Sequence, residues 1–254
     1  MVYDVQKANF WKRFSAYLVD ILILALVAVE IAFLLSLVLN FQGTLNQRND
    51  LKEEYEQHYG VDFDITQEDY DKLTDSEKNY LNDSHVSYIT DPEVGRLDVL
   101  LVNLALIIAT FSLLIAYLLL EFLVPLLFRN GQTFGKKIFG VGVVRVDGVR
   151  ISTFQLFVRT VLGKCTVETL IPVFLIFLFF LNFMPLFSIM GFALLFIIQF
   201  VSVIVTKLHT PIHELMSATV SVDMSSQMIF DSPEALMEYK KQLHAQDVEK
   251  AEYK

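Results

Sequence analysis

Residues 167–206 read VETLIPVFLIFLFFLNFMPLFSIMGFALLFIIQFVSVIVT, and this stretch decides the fold class. It is apolar over about 40 residues, whereas a helix needs only about 20 residues to cross the hydrocarbon core of a bilayer. Asn182-Phe183-Met184-Pro185 lies near its middle and is typical of a turn between two helices. The stretch therefore predicts two membrane spans joined by a tight turn, with a single re-entrant hairpin as the alternative.

Two further apolar stretches lie upstream. Residues 99–128 form a run of about 30, long enough to cross a bilayer with a marked tilt. Residues 16–39, about 24 in number, are long enough for one crossing. A cleavable signal peptide is the alternative for residues 16–39, but the run is long, contains Asp20 and Glu30, and has no small-residue cleavage site. The chain thus has four predicted spans.

Charge is distributed unevenly along the chain. The 254 residues are 54% hydrophobic and 19% charged, with a formal net charge of −9. Residues 41–97 contain 14 acidic and 5 basic residues, so this segment alone accounts for the net charge. No basic, aromatic-interleaved patch lies outside the membrane flanks, so nucleic acid is not an expected partner. The single cysteine, Cys165, excludes an intramolecular disulfide.

The basic residues beside the spans predict the orientation. Most of them fall on one side of a four-span arrangement, and that side is expected to be cytoplasmic, whereas Arg48, Lys52 and Arg96 are the only basic residues near a membrane edge on the other side. Both termini are then cytoplasmic in a multi-pass protein of the cell membrane, and residues 41–98 lie outside. The residues on the expected cytoplasmic side are Lys7, Lys12, Arg13, Arg129, Lys136, Lys137, Arg145, Arg150, Arg159, Lys164 and Lys207.

Helix-start signals occur outside the spans. Thr66-Gln67-Glu68-Asp69 and Thr74-Asp75-Ser76-Glu77 each combine an N-capping residue with an acidic first turn, which predicts two or three short helices in a small outer cap. Ser232-Pro233-Glu234 predicts a charged helix that continues to about Lys250 on the cytoplasmic face.

A glycine-rich segment follows the second predicted span. Residues 131–148 read GQTFGKKIFGVGVVRVDG, in which Asp147-Gly148 is a hairpin-turn signal between alternating apolar residues. We therefore expect a short β-hairpin on the inner membrane surface. The order of the glycines fits neither a Walker loop nor a dinucleotide-binding fingerprint, so neither nucleotide nor another cofactor is expected.

This segment, together with polar residues elsewhere, resembles the RDD family of small membrane proteins. The similarity rests on the loop motif of Gly131, Thr133, Gly135, Lys136 and Gly140, on Arg13 seven residues before Asp20, on Arg159, and on His213-Glu214 after the last span. The family is named for one arginine and two aspartates, and Glu214 stands where the second aspartate is expected. The resemblance implies the four-span topology, and transport, including sodium/proton antiport, is suggested for some members.

Acidic residues inside predicted spans are the candidate functional groups. A carboxylate in hydrocarbon costs a few kcal/mol, so it needs a partner, water or a proton. One hypothesis is that Asp20, Glu30, Asn103 and Glu121 line a path for a proton or a monovalent cation. The alternative is structural: Asp20 pairs with Arg13 or Arg159, and the other acids bond to their neighbours.

No catalytic or metal-binding pattern is expected. His209 and His213 are four residues apart, but Pro211 lies between them and the pattern of a zinc protease is not completed. His58 and His85 are expected on a solvated surface, with a weak divalent-cation site among the neighbouring carboxylates as the alternative. Residues 154–162, after Ser152 and Thr153, predict either a helix lying in the inner interface or simply the start of span three.

The sequence thus predicts an all-α membrane protein with four transmembrane helices, a small extracytoplasmic helical cap and a short cytoplasmic β-hairpin. Transport of an ion or small solute by a homo-oligomer is the first functional hypothesis. A scaffold or accessory subunit that docks a partner membrane protein is the second. An enzyme is not expected. The predicted segments are 1–40, the N-terminus and first span; 41–98, the cap; 99–128, the second span; 129–166, the hairpin and interfacial helix; 167–206, the last two spans; and 207–254, the tail.

Overall fold

A computed structural model describes residues 5–128, 130–206 and 210–252. Within these ranges four helical segments are long and apolar enough to cross a membrane. They are Phe10–Val38, Pro92–Phe128, Thr153–Phe180 and Pro185–Val205. The prediction of an all-α membrane protein with four spans is therefore confirmed, and residues 167–206 contribute to two separate helices.

The elements follow one another in chain order. They are α1 (Phe10–Val38), α2 (Phe41–Tyr59), α3 (Gln67–Lys72), α4 (Asp75–Ile89), α5 (Pro92–Tyr117), a π-helical segment π1 (Leu118–Leu123), α6 (Val124–Phe128), α7 (Phe134–Ile138), β1 (Val141–Arg145), α8 (Thr153–Phe157), a second π-helical segment π2 (Val158–Leu170), α9 (Ile171–Phe180), α10 (Pro185–Val205), α11 (Ile212–Ser217), β2 (Thr219–Asp223) and α12 (Pro233–Glu252).

The chain divides into two compact units. The large unit comprises Met1–Ala28 and Leu113–Lys254, and the small unit comprises Val29–Ser112.

The small unit contains the predicted cap helices. Thr66 accepts a hydrogen bond from the backbone N–H of Asp69 and begins α3. Thr74 and Glu77 form a reciprocal capping box at the start of α4. Val94, Leu97 and Tyr88 are buried and form part of the core of this unit. The two helix starts lie where the sequence predicts them, because side-chain capping is local and is therefore visible in sequence.

The large unit contains a two-stranded antiparallel sheet. Strand β1 pairs with β2 from Val141↔Asp223 to Arg145↔Thr219, and the side chains of Val144, Val220 and Val222 are buried together.

The sheet differs from the expected hairpin in the partner of its first strand. The turn at Asp147-Gly148 is present, because the N–H of Gly148 donates to the carbonyl of Arg145 and the N–H of Arg145 donates to Val149. Residues after the turn form one bridge to β1, Val144↔Arg150, and a parallel bridge joins Val149 to Phe230. Ser152 already caps α8, so too few residues remain for a second strand, and β2 takes that place.

The helix that contains the third predicted span begins at Thr153, where the sequence predicts a helix start. Ser152 and Gln155 form a capping box, and the chain is then continuously helical from Thr153 to Phe180 through α8, π2 and α9. The segment considered as an interfacial helix is therefore the first part of this long helix. At the C-terminal end, the N–H of Ala235 donates to Ser232 Oγ, and α12 begins at Pro233 as predicted.

Candidate functional site

The carboxylate of Asp20 holds the glycine-rich loop against α1. One oxygen accepts a hydrogen bond from the hydroxyl of Thr133, and the other accepts from the backbone N–H of Gly135 at 2.7 Å. Thr133 is also the N-cap of α7. Asp20 is thus held by neutral donors at the N-terminus of α7, and not by Arg13 or Arg159, which the structural alternative proposed as its partners. No basic residue among those described lies within ion-pair distance of it.

The glycines of the loop motif are required for different structural reasons. A Cβ at Gly135 would overlap the carbonyl oxygen of Ala16 and lie 2.9 Å from Asp20 Oδ1. Gly131 and Gly140 have positive φ values of 62° and 65°, which disfavour other residues. Gly131 in addition approaches Val143 closely. Close packing of the loop against α1 therefore requires glycine at 135 for space, and backbone conformation favours it at 131 and 140.

Glu121 forms a buried ion pair. Its Oε2 accepts a hydrogen bond from Lys164 Nζ at 2.6 Å, and Lys136 Nζ lies 3.9 Å from the same oxygen. All three residues are buried. Glu121 lies in π1 and Lys164 in π2, and Thr160 of π2 also donates to the carbonyl of Glu121. The two π-helical segments, which are uncommon and often occur at functional sites, therefore meet at this pair.

Burial makes the charged form of Lys136 less favourable. Burial, followed by the positive charge of Lys164, lowers the pKa of Lys136 to about 8, although Glu121 acts in the opposite direction. Burial disfavours an ammonium group because it loses its hydration.

Arg159 and Glu214 form the second buried ion pair. Arg159 donates to Glu214 Oε1 at 3.1 Å and to the hydroxyl of Thr219 at 2.7 Å. Ser221 donates to the same Glu214 oxygen at 2.5 Å. Burial acts to raise the pKa of Glu214, but Arg159, His213 and the hydrogen bond from Ser221 together outweigh it, and the pKa lies below its usual range. Glu214, at the position where the resemblance implies an aspartate, is therefore an ionised partner of Arg159.

His213 contacts a carboxylate that the sequence analysis did not single out. Its Nδ1 lies 2.9 Å from both oxygens of Glu168, and its backbone N–H donates to Glu168 Oε1 at 3.2 Å. Burial, followed by Arg159 and Lys164, lowers the pKa of His213 well below its ordinary value. A neutral imidazole with its proton on Nδ1 can donate to Glu168. A Cβ at Gly163 would lie 2.6 Å from the His213 Cβ, so glycine permits this approach.

These residues surround a cavity of about 750 Å³ within the large unit. Five basic and three acidic side chains line it, beside His213 and the aromatic residues Phe10, Phe14 and Tyr17. The charged residues are Lys7, Arg13, Lys136, Arg159, Lys164, Asp20, Glu168 and Glu214. The volume lies in the range typical of small-molecule sites.

A second cavity of about 260 Å³ adjoins the first. Three residues, Tyr17, Glu168 and Gln199, line both cavities. The other lining residues of the second cavity are mostly apolar and come largely from π2, α9 and α10. The Glu168–His213 contact therefore lies at the boundary between a charged cavity and one among the apolar helices.

The other two members of the candidate ion path lie in the small unit. Glu30 and Asn103 are both exposed on their helices. Neither has a hydrogen bond or ion pair with any residue that the structure describes. The cavity thus brings together Arg13, Asp20, Lys136, Arg159, His213 and Glu214, with Glu121 behind Lys164, and does not include Glu30 or Asn103.

Three carboxylates of the small unit lie close together. Ligand oxygens of Glu56, Asp62 and Asp64 are within 4.8 Å of one another. Lys52 forms ion pairs with Glu56 and Asp64, so part of the negative charge is already compensated. His58 and His85 are not part of this group.

Sequence reasoning missed Glu168 and Gln199 as site residues and treated Lys164 only as an orientation signal. Glu168 could have been noticed as an acid at the edge of the apolar run. The partners of Lys164 and Gln199 depend on tertiary contacts. His209 of the considered histidine pair, and Arg129 and Lys207 of the orientation argument, lie outside the described residues.

Comparison with known families identifies the chain. A family model described as RDD family matches residues 7–218, which is most of the sequence. The chain therefore belongs to the RDD family. Comparison with curated proteins and with solved structures found no match.

Proposed function

We propose that this member of the RDD family transports an ion or small solute across the cell membrane, with the charged cavity of the large unit as a binding site on the route. The observation that carries the proposal is that Tyr17, Glu168 and Gln199 line both cavities. A polar cavity that continues between apolar helices is typical of transporters, in which ionisable residues mark the solute route.

The proposal includes the orientation of the chain. The basic residues Lys7, Arg13, Lys136 and Lys164 lie around the charged cavity, and basic residues near spans favour the cytoplasmic side. In this orientation the charged cavity opens to the cytoplasm, both termini are cytoplasmic, and the acidic segment 41–98 of the small unit lies outside.

Cation–proton exchange is the narrower form of the proposal. Glu30 supports it, because a carboxylate on the exposed face of an apolar helix costs a few kcal/mol in a bilayer unless it is protonated, hydrated or covered by protein. Covering by a second copy of the chain would also accommodate Asn103. Four helices form a narrow route, so we include a homo-oligomer in the proposal.

The test is flux in proteoliposomes made with the purified full-length protein. Proton, sodium and anion fluxes are measured separately for wild type, Glu168→Gln and Glu30→Gln. We expect flux in wild type and its loss in Glu168→Gln, with both proteins eluting as folded species in size-exclusion chromatography. Loss in Glu30→Gln as well supports cation exchange. Absence of all three fluxes in folded wild type contradicts transport.

A scaffold or accessory subunit is the second candidate function. It is favoured by the small unit, a compact body that is separate from the charged cavity in the chain. Crosslinking in native membranes would support it by capturing one stoichiometric membrane protein that is lost when residues 44–96 are deleted. Capture only of further copies of this chain would instead support the homo-oligomer.

A further inference from the structure

We propose that the charged cavity binds the anionic group of a small ligand, a carboxylate or a phosphate, between Arg13 and Lys136. The inference rests on the broader form of the proposed function, because it names the chemical class of solute that the same cavity takes; cation–proton exchange is the competing narrower form.

The basic side chains of the cavity differ in whether they already bind an acidic side chain. Arg159 is bound to Glu214, and Lys164 is bound to Glu121. Lys136 is less than one-tenth exposed, and the carboxylate within its ion-pair distance, that of Glu121, is 3.9 Å away, which is too far for a hydrogen bond. Arg13 Nε is buried and has no hydrogen-bond partner among the described residues. Two cationic groups on the cavity wall therefore have unused donors.

The acidic side chains are better satisfied. Both oxygens of Asp20 accept hydrogen bonds from Thr133 and Gly135, and both oxygens of Glu168 contact His213. The exception is Glu214, whose Oε2 is buried without a donor among the described residues. Within that part of the chain, the cavity thus offers the cationic donors of Arg13 and Lys136 and the acceptor Oε2 of Glu214.

This arrangement selects a ligand by charge. A free cation would meet the uncompensated charges of Arg13 and Lys136, whereas a carboxylate or phosphate would accept charge-assisted hydrogen bonds from both. Arginine is well suited to such groups because its planar fork can donate two parallel hydrogen bonds. A hydroxyl or amine beside the anionic group would fill the acceptor position at Glu214. The ligand is therefore an anion that also carries an O–H or N–H donor.

The cavity wall allows two sources of such an anion. Phe10, Phe14 and Tyr17 lie near the start of α1, and Val203 lies near the end of α10. One end of each of these two helices therefore supplies apolar lining to the cavity. Aromatic residues at span ends are typical of the membrane interface. The anionic group can thus belong to a water-soluble solute or to a phospholipid headgroup.

The experiment measures binding by the full-length protein in detergent, with glycerol 3-phosphate and inorganic phosphate as soluble probes. Trp11 is the only tryptophan, and its ring centroid lies 5.5 Å from that of Phe10, so its fluorescence reports on the cavity wall. Native mass spectrometry of protein from mixed phosphatidylglycerol and phosphatidylcholine nanodiscs tests the lipid source. We expect saturable binding of glycerol 3-phosphate or selective retention of phosphatidylglycerol. The first outcome identifies a free solute and the second a headgroup.

Three variants test the residues. Arg13→Gln and Lys136→Gln should each weaken binding roughly tenfold or more, since each removes a hydrogen bond from a charged donor. They lie on different helices, so misfolding of one leaves the other informative. Lys137→Gln is the matched control, because Lys137 is exposed and lies over the ring of Phe128 rather than in the cavity. It should leave the affinity unchanged within about twofold.

Two results would overturn the inference: no binding of either probe together with no lipid preference, or equal weakening in Lys137→Gln. Failure of the proposed function is distinguishable. Anion binding without flux contradicts transport and leaves the anion site standing, whereas flux without anion binding contradicts the anion site alone.

Discussion

The two units use their charged residues in contrasting ways. In the large unit, Glu121 and Glu214 are buried and are paired with Lys164 and Arg159, which are far away in the sequence. In the small unit, ion pairs such as Lys72 with Glu68 are exposed and join residues on one helix turn. The pairing of these charges in the large unit therefore depends on tertiary structure, whereas many ion pairs in the small unit lie on the surface of single helices. Substitution of a paired charge should therefore destabilise the large unit more than the small unit.

The largest effect is expected from Arg159→Met, which leaves the carboxylate of Glu214 buried and unpaired. Removal of one partner from a buried ion pair costs about 3–5 kcal/mol of unfolding free energy. Denaturant unfolding of the detergent-purified protein measures it. The double variant with Glu214→Gln should lose clearly less, since no buried charge remains. Equal losses in the single and double variants would contradict the role given to the pair.

The pH dependence of stability tests Lys136. Its pKa is about 8 in the folded protein and 10.5 in the reference state, so the unfolded chain binds more protons between these values. Stability should therefore rise as the pH increases from 8 towards 10.5, by up to about 3 kcal/mol. Lys136→Met should lack this rise, while Lys137→Gln should retain it. Parallel stability curves for wild type and Lys136→Met would refute the burial of this ammonium group.

Gly135→Ala compares two glycines of one motif. The added methyl group would overlap Ala16 and the carboxylate of Asp20, so we expect a loss of about 2 kcal/mol from overpacking. Gly140→Ala meets no atom within 4 Å but has a positive φ, so about 1 kcal/mol is expected. Thermal unfolding ranks the two variants. The reverse order would show that backbone conformation matters more than contact with α1.

The smallest effect is expected in the small unit. Thr74→Ala removes the capping box at the start of α4 and should cost about 1 kcal/mol locally. Hydrogen exchange should increase for the first amides of α4 and remain unchanged in α11, because the cap acts on its own helix. Thr74→Ser, which keeps the hydroxyl, is the control. Faster exchange in both units would remove the contrast between local and tertiary stabilisation.

Sequence reasoning was most successful where one segment decides the outcome. Apolar length predicts the spans, and Thr66, Thr74 and Ser232 predict helix starts, since these depend on neighbouring residues. It predicted the turn at Asp147-Gly148 but not the strand that completes the sheet. Family resemblance singled out Asp20, Arg159 and Glu214, yet the structural alternative named the wrong partners for Asp20. The hydrogen bond from Gly135 to Asp20 joins residues 115 positions apart, and no local pattern records that approach.

The sequence by itself therefore determined that the chain crosses a membrane with four helices and carries an acidic segment between the first two. The physical reason is that hydrophobic length and charge are properties of contiguous residues. Only the tertiary structure decided which charges neutralise one another. Glu121 pairs with Lys164, 43 residues away, and Glu214 pairs with Arg159, 55 residues away. Among the described residues, these pairings leave Arg13 Nε without a hydrogen-bond acceptor and Lys136 Nζ with only a distant carboxylate.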